Sequence, residues 1–383
     1  MPKEPPTRPD PLPRLLLLDM TRIGGGTATG EIKRNLLAAW PPSGILQVRA
    51  LREQLEVRRD GAPLPGLLDE DAVVREVLAF DPEVILYRPT ADRPGHHQAA
   101  MRIIAKSQAP LALWIMDDWM ARLEASDPGS AVGMDRDLRW LIARAGLRLS
   151  ISPAMSDMLA RRYGGEWLPF ANGVAPREWP ERRREAEPDV VILRYAGGLA
   201  SDMTLDSLVD VAEAVQALSD THAVRLEINS RPQWVAQAGH RFEGFTAVRV
   251  TSEIMRPGAY RRWLSEADIS VIPYNFDPET ARYVQYSLAN KTPECMASGA
   301  AILAYGPTAI HTIALLKDYG CAEVVSERDP GALRAAIRRL VEDGEHRRIL
   351  AAHARRLAFE RHDLATTRRA LEGVLRGIAT SVS

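Results

Sequence analysis

Short apolar runs alternate with amphipathic stretches along almost the whole chain. RLLLLDM (Arg14–Met20) reads as a buried strand, GGGTATG follows as a loop, and a helical pattern starts near Thr29. Gly44–Leu51 and Val84–Tyr87 read as further strands, with a helical stretch ahead of the second. Leu111–Met116 is an apolar run that ends in Asp117, Asp118 and Trp119. A helix around Asp135–Ala145 leads to strand LRLSIS and helix PAMSDMLARRYG. Strand and helix in turn predict a parallel sheet covered on both faces.

The alternation breaks in WLPFANGVAPREWPERRREAEPDV, which is irregular, proline-rich and highly charged between Pro176 and Pro188. That is linker composition. A second alternating run follows: strand VVILRYAGGLA with Gly197 and Gly198 near its end, helix DSLVDVAEAVQAL, strands AVRLEINS and FTAVRVTSE, helix GAYRRWLSEA and strand DISVIPYN. Helix KTPECMASG, strand AAILAYG, helix TIALLKDYG and short strand CAEVVSE come next, and an Arg-rich helical tail begins at Pro330. The predicted architecture is α/β, with Rossmann-like lobes over 14–175 and 189–350. A disordered leader (1–13), a linker (176–188) and C-terminal helices (351–383) complete it. In such sheets ligands bind beyond the carboxyl ends of the strands.

Composition narrows the function. A chain of 383 residues fits two domains at ~150 residues each. The net charge of −1 gives no bulk attraction to nucleic acid. Two cysteines, Cys295 and Cys321, form neither a metal spacing nor a disulfide framework. LLLLDM is too short to span a bilayer or to serve as a signal-peptide core. The expectation is a cytoplasmic enzyme or binding protein.

The stretch KTPECMASGAAILAYGP carries one Lys and one Glu before a bland apolar segment. Pro293 suits a first helical turn and Thr292 can cap it. Lys291 and Glu294 then stand at a helix start where loops from the sheet edge gather. A helix N-terminus and a lysine favour phosphate, and a carboxylate can accept from a vicinal diol such as ribose. The competing reading is that Glu294 complements the helix dipole and Lys291 is solvated.

SLANKTPECMASGAAILAYGP resembles the donor-site segment of GT-B glycosyltransferases, above all glycosyltransferase family 4. The resemblance extends in order along the chain past the leader. ISPAMSDMLARRYGGEWLPFANGVAPREW is similar to the end of an acceptor lobe, and RYAGGLASDMTLDSLVDVAEAV to the start of a donor lobe. YRRWLSEADISVIPYN resembles the helix and strand before the donor motif, and WIMDDW a strand-end site of acceptor lobes. The resemblance implies a GT-B fold whose C-terminal helices pack back on the first lobe. It implies transfer of a sugar from a nucleotide-diphosphate sugar to a saccharide, glycan or lipid-linked hydroxyl, in surface glycan or polysaccharide synthesis. It implies retention of configuration and no cofactor or bound metal.

Residue by residue, it places Glu294 on the donor's ribose. The family's other Glu, eight residues earlier, is here Tyr286. The Arg and Lys that usually follow the first Gly-rich turn are absent from GGLASDM, so Lys291 is the expected substitute, with backbone N–H groups near Gly197, Gly198 and Thr292. Arg231 is a second candidate, and Asn275 and Ser287 complete the implied donor set. Gly24, Gly25 and Gly26 correspond to a cleft loop near donor phosphate and acceptor; a plain tight turn is the other reading. Asp117 or Asp118 is placed to hold an acceptor hydroxyl or act as a base, Asp118 and Lys291 being the catalytic candidates; capping by Asp is the alternative. His96-His97 reads as a surface loop, and Trp114, Trp119, Trp167 and Trp179 as core or interlobe fillers. RRRE at 182–185 and the Arg-rich tail read as solvated faces, with peripheral contact to anionic lipid as the minority reading. The rival functions are a sugar-nucleotide epimerase, for which no matching set of carboxylates and His is seen, and a non-catalytic sugar-nucleotide-binding or scaffold protein.

Overall fold

The computed structural model describes residues 11–51, 54–66, 68–180 and 189–380. Residues 1–10 of the expected leader and the charge run at 182–185 lie outside these.

The first sheet is built from β1 (Leu15–Leu18), β2 (Ile45–Leu51), β3 (Gln54–Arg59), β4 (Ala62–Pro63), β5 (Val84–Tyr87), β6 (Leu111–Ile115), β7 (Ala145–Ser150) and β8 (Leu168–Pro169). Their order is β4-β3-β2-β1-β5-β6-β7-β8. Every residue of β1 is buried, because the strand is sandwiched between sheet neighbours and helices on both faces; LLLL is the pattern such a strand needs. It pairs parallel with β2 (Leu15 opposite Ile45) and with β5 (Leu15 opposite Val84). Around the sheet lie α1 (Ala28–Leu36), α2 (Glu70–Phe80), α3 (Pro94–Lys106), α4 (Trp119–Ser126), α5 (Pro128–Arg144) and α6 (Pro153–Tyr163). The expectation of a parallel sheet holds from β2 to β8, whereas β3 and β4 add an antiparallel edge.

The second sheet contains β9 (Val191–Ala196), β10 (Val224–Asn229), β11 (Val248–Thr251), β12 (Ile269–Pro273), β13 (Ala301–Tyr305) and β14 (Glu323–Val325), in the order β11-β10-β9-β12-β13-β14, all parallel. Helices α7 (Leu205–Ser219), α8 (Pro232–Ala238), α9 (Pro257–Ser265), α10 (Pro278–Val284), α11 (Thr292–Ala297), α12 (His311–Asp318), α13 (Pro330–Glu342) and α14 (Gly344–Arg361) belong to this lobe. Cys295 and Cys321 are free and buried in it. Trp114, Trp119, Trp167 and Trp179 are all buried.

The return to the first lobe comes later than the tail composition suggests. Ala354, Leu357 and Ala358 of α14 fill the second lobe's core. Only α15 (Leu364–Thr380) crosses, placing Leu364, Leu371 and Leu375 in the first lobe's core. The boundary expected at residue 351 therefore moves to His362. At the crossing the two connecting strands meet: Val174 N–H donates to the His362 carbonyl (2.8 Å) and Leu364 N–H to the Val174 carbonyl (3.0 Å). Gly173 is needed here, since a side-chain carbon would lie 2.8 Å from Leu364 Cα.

His96 and His97 are not in a surface loop. Pro94 starts α3 and both imidazoles turn inward, 2% and 4% exposed. His97 Nδ1 shares a 2.8 Å hydrogen bond with the Tyr87 hydroxyl, while neither ring nitrogen of His96 has a partner among the described residues. Burial pushes His96 down to about 4, helped by the nearby charges of Arg88, His97 and Lys33 and opposed by Asp19, and burial pushes His362 at the crossing down to about 4 as well. A histidine held neutral in the fold stabilises it fully above the ordinary value near 6.5, and that stability is lost as pH falls toward 4. The loss is on the order of 3 kcal/mol for each. Urea midpoints taken at about pH 7.5 and about pH 5 should fall markedly in the native chain and less in His96→Gln and His362→Gln. Equal falls in all three would refute this assignment.

Candidate functional site

The carboxyl ends of the two sheets face each other. Three chain segments make the cleft: the loop after β1, the turn after β9, and the segment from α10 to α11.

The loop after β1 rests on a buried ionic cluster. Asp19, fully buried, accepts from Lys33 Nζ (2.7 Å) and from Arg88 Nε (2.9 Å) and Nη2 (3.0 Å). Thr21 donates to the same carboxylate through N–H (2.7 Å) and hydroxyl (2.9 Å), and its carbonyl accepts from Lys33 (2.6 Å) and Gln47 (2.9 Å). The two cations, together outweighing the burial of Asp19, hold its carboxyl well below the usual range. Lys33 is drawn down to about 8, by burial first. On this base the loop turns through Gly24 (φ 63°) and Gly26 (φ 68°), a backbone region that glycine enters without strain. Arg231, arriving from the second lobe at the start of α8, donates to the Gly25 carbonyl at 3.3 Å. A side-chain carbon on Gly26 would come within 3.1 Å of the same guanidinium.

The turn after β9 has its carbonyls tied back. Gly197 O accepts from Ser230 Oγ (2.6 Å), and Gly198 O from Tyr195 Oη (2.7 Å) and Thr204 Oγ1 (2.9 Å). The amides of Gly198 and Leu199 have no backbone acceptor among the described residues. Lys291 Nζ stands 4.0 Å from the centre of the Tyr195 ring, and a side-chain carbon on Gly197 would lie 3.0 Å from it. Lys291 and Arg231 have no carboxylate partner among the described residues. A lysine beside amides that have no backbone acceptor is a place where an anion settles. Trp234, in the first turn of α8, packs its indole on Gly198. Sequence reasoning misses Trp234; its only signal is an aromatic three residues beyond Arg231.

Glu294 is half-buried at the lobe junction. Tyr260 Oη donates to it at 3.1 Å and Asn172 Nδ2 at 3.5 Å, and Asn172 in turn accepts from Asn35 Nδ2 of α1 at 3.2 Å. Burial raises its carboxyl to about 7, against these two hydrogen bonds, which lower it. Helix α11 is only six residues long, and its cap position is Lys291, with no side-chain cap bond. Thr292 therefore does not cap; it is fully buried and its N–H is spent on the Ala289 carbonyl (2.9 Å), so it offers no amide to a phosphate.

Two other expected donor contacts face inward. Asn275 accepts from Ser207 N–H (3.1 Å) and donates to the Ser201 carbonyl (2.8 Å), which pins the 197–204 turn from behind. Ser287 donates to the Met116 carbonyl (3.1 Å) and lies 3.3 Å from Asp117, latching the lobes. Burial raises Asp117 above the usual carboxylate range. Asp118 Oδ1 accepts from Ala121 N–H (3.1 Å), so it caps α4 while lining a recess together with Tyr286. Tyr286 thus shares this recess with Asp118.

The two-lobed arrangement is the GT-B fold. A sucrose-phosphate synthase from Thermosynechococcus elongatus has a TM-score of 0.68 to this chain at 11% identity, over 96% of this chain and 99% of that one. HepE of Anabaena, solved with UDP and glucose, has a TM-score of 0.68 at 13% identity, over 95% and 100%. A UDP-forming α,α-trehalose-phosphate synthase from Burkholderia vietnamiensis has 0.64 at 12% identity, over 97% and 98%. No family model matches the chain, and no curated protein matches it by sequence. Among the described residues no helix is long and apolar enough to cross a membrane.

Proposed function

We propose that the chain is a glycosyltransferase. It takes a sugar from a nucleotide-diphosphate sugar held by the second lobe and passes it to a hydroxyl of a saccharide, glycan or lipid-linked acceptor held mainly by the first, in surface glycan or polysaccharide synthesis. The observation that carries this reading is that two cations without carboxylate partners among the described residues, Lys291 over Tyr195 at the Gly197 turn and Arg231 on the Gly25 carbonyl, stand at strand ends of a GT-B fold. The named activities of the fold's solved members, two of them sugar-phosphate synthases and one bound to UDP and glucose, support it.

In this reading the diphosphate lies against the amides of Gly198 and Leu199 and the Lys291 ammonium. Arg231, which reaches the glycine loop from the start of α8, closes over it, and Glu294 accepts from the ribose hydroxyls. The bond from the anomeric carbon to the phosphate oxygen breaks as the bond to the acceptor oxygen forms on the same face, giving retention. The acceptor's proton passes to the departing phosphate oxygen, whose charge Lys291 stabilises. Asp118, committed to capping α4, is not needed as a base.

Thermal shift with uridine, guanosine, adenosine and thymidine diphosphates tests the donor site. One base should raise apparent stability by ~2.7 kcal/mol at a hundredfold excess over its dissociation constant, and Glu294→Ala should lose the shift. Because the carboxylate of Glu294, not the acid, accepts from ribose, affinity should rise between about pH 6 and about pH 8 and stay flat in Glu294→Gln. Absence of any shift would leave the non-catalytic scaffold as the better reading.

A further inference from the structure

Between α4 and α6 of the first lobe and the end of α10 in the second lies a recess of about 390 Å³, lined among others by Asp118, Arg161, Arg162, Arg282, Gln285 and Tyr286. Three guanidinium groups around one recess repel one another unless anions stand among them. Arg162 is answered by Glu124, with which it forms an ion pair, and its Nη2 lies 3.7 Å from Asp135. Arg161 and Arg282 have no carboxylate partner among the described residues. They come from different lobes, so the fold brings two uncompensated cations to one place. Planar guanidinium forks match the oxygens of a phosphoryl group two at a time. Asp118, Gln285 and Tyr286 on the same wall suit hydroxyl groups. The volume is in the range of sites that take small molecules, roughly 300–1,000 Å³.

We propose that this recess binds a phosphoryl-bearing ligand through Arg161 and Arg282, with hydroxyl groups of the ligand against Asp118 and Tyr286. The assignment of that ligand as the acceptor rests on the glycosyl transfer proposed above; the binding itself does not. The phosphoryl group belongs either to a soluble sugar phosphate or to a lipid head at a membrane surface, and both present the same oxygens.

The test uses the full chain, with and without a saturating nucleoside diphosphate. Binding of glucose 6-phosphate is followed by calorimetry, and binding to phosphatidylcholine vesicles with and without phosphatidic acid by flotation. One of the two phosphoryl sources should bind, and which one does names the source. Removing either guanidinium should weaken binding about tenfold or more, so the double variant Arg161→Ala/Arg282→Ala should abolish it nearly completely. The Arg161→Lys/Arg282→Lys pair should recover only part, because it keeps charge but not the fork. Both side chains are exposed, so the variants should fold; an unchanged melting temperature and nucleotide affinity confirm that the effect is local. If neither source binds the native chain, or the double variant binds as the native chain does, the proposal is overturned. If nucleotide binding fails in every protein while the arginine-dependent anion binding persists, the recess stands as an anion site and only its role as acceptor site falls.

Discussion

Lys291→Ala should lower sugar transfer by about 10²–10³-fold while leaving the fold intact. The ammonium is the one lysine charge at the Gly197 turn, and it stands over Tyr195 without a carboxylate partner among the described residues. Removing one preorganised donor to developing charge costs about that much in other enzymes. The loss must show a particular pattern. Affinity for the nucleoside diphosphate should drop about tenfold or more, whereas affinity for the monophosphate should barely move. Stability should fall by only about 0.5–1 kcal/mol, the worth of a partly exposed cation over an aromatic ring. Calorimetry with the two nucleotides, beside a melt of the variant, separates these. An equal loss for both nucleotides would take Lys291 away from the diphosphate.

The second large effect concerns stability. Asp19→Ala should destabilise the chain by about 3–5 kcal/mol, because it strands Lys33 and Arg88 as buried, uncompensated cations. Against a total stability of about 5–15 kcal/mol, that is a large share. Asp19→Asn keeps an acceptor for Thr21 and removes only the charge, so it should lie between. A urea titration measures both. A cost under about 1 kcal/mol for Asp19→Ala would mean that water reaches the cluster. Asn should also loosen the glycine loop, whose first residues hang on Asp19 and Thr21. Arg231 would then lose its seat on Gly25, which ties this stability centre to the cleft.

Legibility in the sequence follows the range of the interaction. Strands such as Leu15–Leu18 and Ala301–Tyr305 are visible because their apolar runs and flanking turns are local. The glycine loop, the turn at Gly197 and the helix starting near Lys291 are visible for the same reason. Side-chain direction is not. Asn275 and Ser287 have the right type and neighbourhood for a donor contact, yet each spends its polar atoms on partners far along the chain. His96 and His97 follow a Pro-Gly pair that reads as a loop and in fact opens a helix. Helices α14 and α15 are both Arg-rich, and nothing local says which lobe each covers. Lys291 is the expected substitute charge by its place in the motif, but it reaches Gly197 from far along the chain, and only the fold shows that approach.

The last helix has a consequence for how the protein is made. Leu364, Leu371 and Leu375 sit in the core of the lobe whose first strand begins at Leu15. A chain leaving the ribosome therefore carries an unfinished first core while the whole second lobe is synthesised. At about 5–20 residues per second, that interval lasts on the order of ten seconds or more. The early lobe must wait, partly open, for its final leucines, and its core closes only once Leu364–Thr380 has been made.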